Sequence, residues 1–123
     1  MGVITVDTRD RKPIYEQLTE NIRRLVLQGV LQPHEQLPSV RALAVELAIN
    51  PNTIQKAYAE LERQGITYSL PGRGSFVSDN VTELSRAQLA QTADALNAAL
   101  KAAKDAGMTR EEALALLSEV WEG

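Results

Sequence analysis

Asn52, Thr53, Gln55 and Lys56 lie within five consecutive positions and carry two carboxamides, a hydroxyl and an ammonium. A nucleic-acid groove can use all of them. An Asn or Gln amide donates and accepts in one plane, as adenine N6 and N7 require, a Thr methyl can meet a thymine methyl, and a Lys ammonium pairs with phosphate. Arg41 follows Ser39 by two residues, which places it beside the free amides and positive dipole end of a helix that Ser39 would cap. A charge-assisted bond to a DNA phosphate is the matching use. Arg73 stands between Gly72 and Gly74, so its backbone can approach closely and its guanidinium could enter a minor groove. Each reading has a plainer rival: a solvated helix face, an exposed arginine without a partner, and a turn that uses glycine only for positive φ.

Other chemistries find little support. The 123 residues contain no Cys, which excludes a disulfide framework, a thiolate zinc site and a cysteine nucleophile, and fits a reducing compartment. His34 is the one histidine, so no multi-histidine metal site can form, and the Pro33–Pro38 stretch around it holds no nucleophile; a solvent-exposed loop residue is expected. Glu111 and Glu112 fall in the first turn of a helix, where negative charge is stabilising, and do not read as an acid/base pair. No glycine-rich loop leads into a helix with the lysine of a phosphate cradle. No apolar run approaches the ~20 residues of a bilayer span and no basic, apolar leader opens the chain, so a soluble cytoplasmic protein without cofactor, metal or membrane contact is expected.

The formal net charge of -3 hides an asymmetry: residues 1–78 hold nine Lys and Arg against eight Asp and Glu, and residues 79–123 hold four against eight. The acidity lies in the last third and neither supports nor opposes an anionic partner for the first part.

The elements that position these groups follow from the apolar spacing. With aromatics at 4%, the core falls to Leu, Ile, Val and Ala, a helix-leaning set. The alternation at Val3 to Val6 could be an edge strand. Pro13 opens a helix with Ile14, Leu18, Ile22, Leu25 and Val26 on one face, ending at Gly29. Pro33 to Pro38 is a loop, because proline lacks the amide donor. Ser39 caps a second helix whose inward face is Val40, Leu43, Ala44 and Leu47. After only Ala48, Ile49 and Asn50, a third begins at Pro51, buries Ile54, Ala57, Tyr58 and Leu61, and stops at Gly65. Two short helices joined by a three-residue turn are a helix-turn-helix. Ile66 to Leu70 and Ser75 to Val77 bracket a Pro/Gly turn, as in a β-hairpin.

From Thr82 the composition shifts to Ala, Leu, Gln and Glu, with apolar steps at Leu89, Ala93, Leu96, Leu100 and Ala103, a short coiled-coil-like stripe. Gly107 stops it. Thr109 to Glu112 is a capping box for a last helix with Leu114, Leu117, Val120 and Trp121 on one face. So small a segment leaves both apolar faces to be covered, and a second subunit is the expected cover.

Pro13-Ile14-Tyr15-Glu16-Gln17-Leu18, Leu37-Pro38-Ser39-Val40-Arg41-Ala42-Leu43-Ala44, Asn50-Pro51-Asn52-Thr53-Ile54-Gln55-Lys56-Ala57-Tyr58, Leu61-Glu62-Arg63-Gln64-Gly65 and Gly72-Arg73-Gly74-Ser75-Phe76-Val77 together cover about half of the chain. In that combination they resemble the GntR-type bacterial transcription regulators, and within them the short YtrA-like subgroup. The resemblance implies a winged helix-turn-helix DNA-binding domain, a homodimer, and a two-helix C-terminal region in place of a larger effector domain. By position, the family's second-helix DNA-contacting arginine falls on Arg41, its recognition-helix contacts on Asn52, Thr53, Gln55 and Lys56, and its wing contact on Arg73. His34 stands where the loop commonly has Gly after Pro, which changes local turn geometry. Pro51 stands where many relatives outside the subgroup have a basic residue, so their base preference does not carry over. Members of the subgroup often repress their own operon beside transporter genes, and the resemblance implies the same here.

The expected fold is therefore mainly α with a small β-hairpin: a winged helix-turn-helix over residues 1–78 and a two-helix dimerisation region over 79–123. The DNA-facing set is Ser39, Arg41, Asn52, Thr53, Gln55, Lys56, Gly72, Arg73 and Gly74; the dimer-facing set is Leu89, Ala93, Leu96, Leu100, Leu114, Leu117 and Trp121. The expected activity is that of a dimeric repressor on double-stranded DNA with a palindromic operator, with a small-molecule effector as a further partner at the interface or between the two regions. A winged-helix protein-interaction module without DNA binding is the alternative, which the acidic C-terminal part would suit. An enzyme is not expected, since the chain leaves no room for the aminotransferase-like domain that longer GntR-type proteins carry.

Overall fold

The computed structural model describes residues 2–123; Met1 and the side chains of Val81 and Thr82 lie outside the description. Among the described residues the order is α1 (Ile14–Leu27), α2 (Val40–Leu47), α3 (Pro51–Arg63), β1 (Thr67–Leu70), β2 (Gly74–Val77), α4 (Val81–Asp105) and α5 (Arg110–Glu122). The chain divides into two compact units, one ending at Ser85 and the other running Arg86–Gly123.

The first unit is built around one core. Steps of four along α1 turn Leu18, Ile22 and Val26 inward, and Gly29 at φ +79° ends the helix in the left-handed region that glycine tolerates. In α2, Leu43 and Ala44 are buried and Val40 and Leu47 pack partly against them. The Ser39 hydroxyl accepts the Ala42 amide at 3.0 Å, satisfying one of the donors that a helix start leaves open. Ala48 closes α2 at φ +56°, a conformation that costs an L-residue about 1–2 kcal/mol, and so turns the chain within three residues. Asn50 then caps α3 by accepting the Asn52 amide at 2.8 Å, with Pro51 in the first turn. The buried face of α3 is Ile54, Ala57, Tyr58 and Leu61, and it packs on both α1 and α2. Tyr58 donates its hydroxyl to the Pro38 carbonyl at 2.7 Å, and burial, aided by the charge of Glu46, raises its pKa well above the usual phenol value.

The antiparallel hairpin pairs Thr67 with Val77, Tyr68 with Phe76, Ser69 with Ser75 and Leu70 with Gly74. Its free edge at β2 is covered by the loop before α2. The amides of His34 and Leu37 donate to the carbonyls of Val77 and Ser75, and the Val77 amide donates to Glu35. An otherwise open strand edge is thereby closed by the chain itself.

The edge strand expected at Val3 to Val6 does not form. A strand needs a backbone partner, and here the partners are side chains of α1: Thr5 donates its amide to Asn21 Oδ1 at 3.0 Å, and Asp7 exchanges two hydrogen bonds with the Gln17 amide group. The alternation marks instead the insertion of Ile4 into the core, where it is buried.

The first turn of α4 belongs with this unit. Leu84 packs against the core, and the Ser85 hydroxyl donates to the Leu27 carbonyl at 3.1 Å. In the second unit, Gly107 at φ +98° follows α4, and Thr109 opens α5 with a complete capping box: its hydroxyl accepts the Glu112 amide and its amide donates to the Glu112 carboxylate. The Thr109 amide, with a smaller contribution from the Thr109 hydroxyl, holds the Glu112 carboxyl below the usual 4.5. Among the described residues none of 86–123 is buried.

Candidate nucleic-acid interface

The packing that buries Ile54, Ala57, Tyr58 and Leu61 turns the other side of α3 outward. Asn52, Gln55 and Lys56 are exposed there and Thr53 is half-buried beside them. Arg41, on the first turn of α2, is exposed and has no ion pair among the described residues. Ser39 is exposed as well, its oxygen engaged by the cap.

The starts of these two helices differ from the other three. α1, α4 and α5 each place an acidic residue in the first turn, Glu16, Glu83 and the pair Glu111 and Glu112, where it offsets the partial positive charge of unpaired amides. α2 and α3 have none, and both are capped by neutral side chains. Carboxylates on α3 begin only at Glu60, one turn beyond Lys56. Glu60 is itself consumed by Arg63 and Gln64, which donate to it and push its carboxyl down to about 2. Glu62 accepts the Ser69 hydroxyl. The start of α3 therefore keeps its positive potential, and Arg63 belongs to a local ion pair rather than to the free polar face.

At the wing, Gly72 at φ +76° and Gly74 at φ +114° frame the exposed Arg73, whose amide donates to the Leu70 carbonyl and closes the turn. Gln36 donates its side-chain amide to the Arg73 carbonyl at 2.6 Å. A Cβ at Gly74 would lie 3.1 Å from that same Gln36 nitrogen, so the glycine serves close approach as well as φ. His34 is exposed, as expected, and sits at φ +67°, which accounts for the glycine common at this point in the resembling sequences. Its Nδ1 lies 2.8 Å from the Tyr68 hydroxyl, and Tyr68 stacks on Phe76.

Two supports of the polar face carry no signal in sequence spacing. Gln36 bonds a residue 37 positions away. Tyr15, beside the inward face of α1, places its ring 3.8 Å beneath the Lys56 ammonium. No group of three or more His, Cys, Asp or Glu that could hold a metal occurs among the described residues, and no helix there is long and apolar enough to cross a membrane.

Residues 14–77 match the family of bacterial regulatory proteins of the gntR type. Over 119 residues the chain is 39% identical to the HTH-type transcriptional repressor YtrA of Bacillus subtilis, covering 96% of this chain and 92% of that one. A crystal structure of a transcriptional regulator from Oenococcus oeni superposes with TM-score 0.72 at 30% identity, covering 94% of this chain and 97% of the other. The DNA-binding domain of AraR in complex with operator ORE1 matches with TM-score 0.53 at 32% identity over 59% of this chain and 89% of that one. The protein is thus a member of the gntR family, of its YtrA-like branch, and a DNA-binding transcription regulator rather than an enzyme.

Proposed function

We propose that the chain acts as a homodimeric repressor that binds a palindromic operator at its own operon, transporter genes included. The observation that carries the reading is the acid-free start of α3, where Asn52, Gln55 and Lys56 face outward, beside an equally acid-free α2 start bearing Arg41. Arg41 and Lys56 grip phosphate, Asn52, Thr53 and Gln55 meet base edges, and Arg73 reaches the minor groove from the Gly72–Gly74 turn, with Ser39 at the backbone. Residues 1–78 form the DNA-binding part and 79–123 the dimer-forming part, through Leu89, Ala93, Leu96, Leu100, Leu114, Leu117 and Trp121. α4 has 25 residues and spans ~37 Å, close to the ~34–36 Å between half-site centres one helical turn apart. A small-molecule effector would act at the dimer interface by changing the separation of the two α3 helices; a thermal-shift screen without a stabilising compound counts against it.

Footprinting on the DNA upstream of its own gene, with anisotropy titrations across a salt series, tests the proposal. A protected two-fold site and a log K that falls steeply with log salt are expected; weak binding indifferent to salt would overturn it. Gln55→Ala should shift preference among operator variants by ~1–3 kcal/mol.

A further inference from the structure

We propose that Tyr15 is a positioning residue for DNA contact: its ring holds the Lys56 ammonium at the junction of α1 and α3 and turns a flexible side chain into a fixed phosphate clamp. The proposal rests on the DNA-binding reading above. Lysine is a point charge on a four-carbon stem, and an exposed one samples many rotamers. Here the ammonium lies 3.8 Å from the ring centroid, well inside the ~6 Å range of cation–π attraction. The ring is held in place, because Tyr15 is half-buried against the core on α1, the helix that packs on α3.

The choice of a ring over a carboxylate decides what the lysine can do next. Lys12 is held by Glu20 at 2.8 Å and Arg63 by Glu60, and in both pairs the cation is neutralised by its own support. Lys56 has no such pair among the described residues. An aromatic face fixes the ammonium without cancelling its charge, and leaves the N–H donors on its far side for an external anion. The support is the ring rather than the phenol, since the hydroxyl makes only a long contact of 3.4 Å to Glu16.

The test combines side-chain NMR of the free protein with anisotropy titrations on its upstream DNA, for wild type, Lys56→Ala, Tyr15→Leu, Tyr15→Phe and the Tyr15→Leu/Lys56→Ala double variant. The Lys56 methylene protons should be shifted upfield by the ring, and Tyr15→Leu should abolish that shift. Tyr15→Leu should weaken binding about two- to five-fold in the wild-type background and not at all in Lys56→Ala, and Tyr15→Phe should restore what leucine loses. Equal losses in both backgrounds, failure of phenylalanine to restore binding, or Lys56→Ala binding as wild type would overturn the positioning role while leaving the DNA reading in place. Wild-type protein that binds no DNA at any salt would remove the DNA reading and this proposal with it. Should Tyr15→Leu melt far below wild type, the phenylalanine variant and the Lys56 shift in the parent protein still decide the matter.

Discussion

The two units spend the same residue types in opposite ways. Before Ser85, the helical stripes are covered by neighbouring elements of the same chain: Leu18, Ile22, Leu43, Ile54 and Leu61 are fully buried, and Ile14, Leu25 and Leu47 are half-buried beside them. After Arg86, equally regular stripes stay open, with Leu89 70%, Leu96 52% and Trp121 77% exposed. Apolar periodicity therefore states which face of a helix needs a cover and is silent on where the cover comes from. The first unit supplies its own, and we propose that the second takes it from another copy.

The largest expected effect falls on the self-covered side. Leu43→Ala should lower unfolding stability by about 2–5 kcal/mol in denaturant titrations, by the same amount at every protein concentration. A loss below ~1 kcal/mol would mean that the first core is not as well packed as its burial indicates. Leu96→Glu should act through association instead. Light scattering should report monomers, the melting temperature should stop depending on concentration, and affinity for a two-fold operator should fall about 100-fold as the second half-site contact is lost. If that variant remains dimeric, the open stripe of α4 is not the interface. Arg41→Ala and Arg73→Ala should leave the dimer whole and weaken DNA binding, each lowering the salt slope by about 1. The smallest effect belongs to the start of α5. Thr109→Ala should reduce amide protection near Ala113 about five-fold. Because the Glu112 carboxyl is held below its usual value in the folded helix, the stabilisation from the capping box is present above pH ~4.5 and is lost as pH falls. Protection measured from pH 6 to pH 3 should decline in wild type and stay flatter in the variant.

The same contrast explains how much could be read from the sequence. Ile54, Ala57, Tyr58 and Leu61 repeat at helical spacing, and the buried face of α3 is those four residues. Ser39, Asn50 and Thr109 are caps whose partners lie two or three residues on, so their roles are local and legible. The polar row of α3 followed by subtraction from its buried face. What could not be read involves partners far apart in the chain. Val3 to Val6 has strand-like alternation, but the alternation cannot say that Asn21 and Gln17 will supply the bonds a neighbouring strand would have supplied. Gln36 beneath the Arg73 carbonyl and Tyr15 beneath Lys56 depend on how the wing and α1 come to rest, which no local pattern encodes.

The hydrogen bond from Tyr58 to the Pro38 carbonyl ties the underside of α3 to the residue just ahead of α2. The phenol thus adds a polar tie to the core packing and the Ala48 turn that set the phase between the turn that carries Arg41 and the turn that carries Asn52 to Lys56. Under the proposed contacts, a target whose phosphate and bases are offset differently cannot be met by loosening that joint without stranding the Tyr58 hydroxyl. On the DNA contacts we propose, retargeting this scaffold should proceed by exchanging outward side chains on a fixed grid, and altering Tyr58 should disturb the α2 and α3 contacts together.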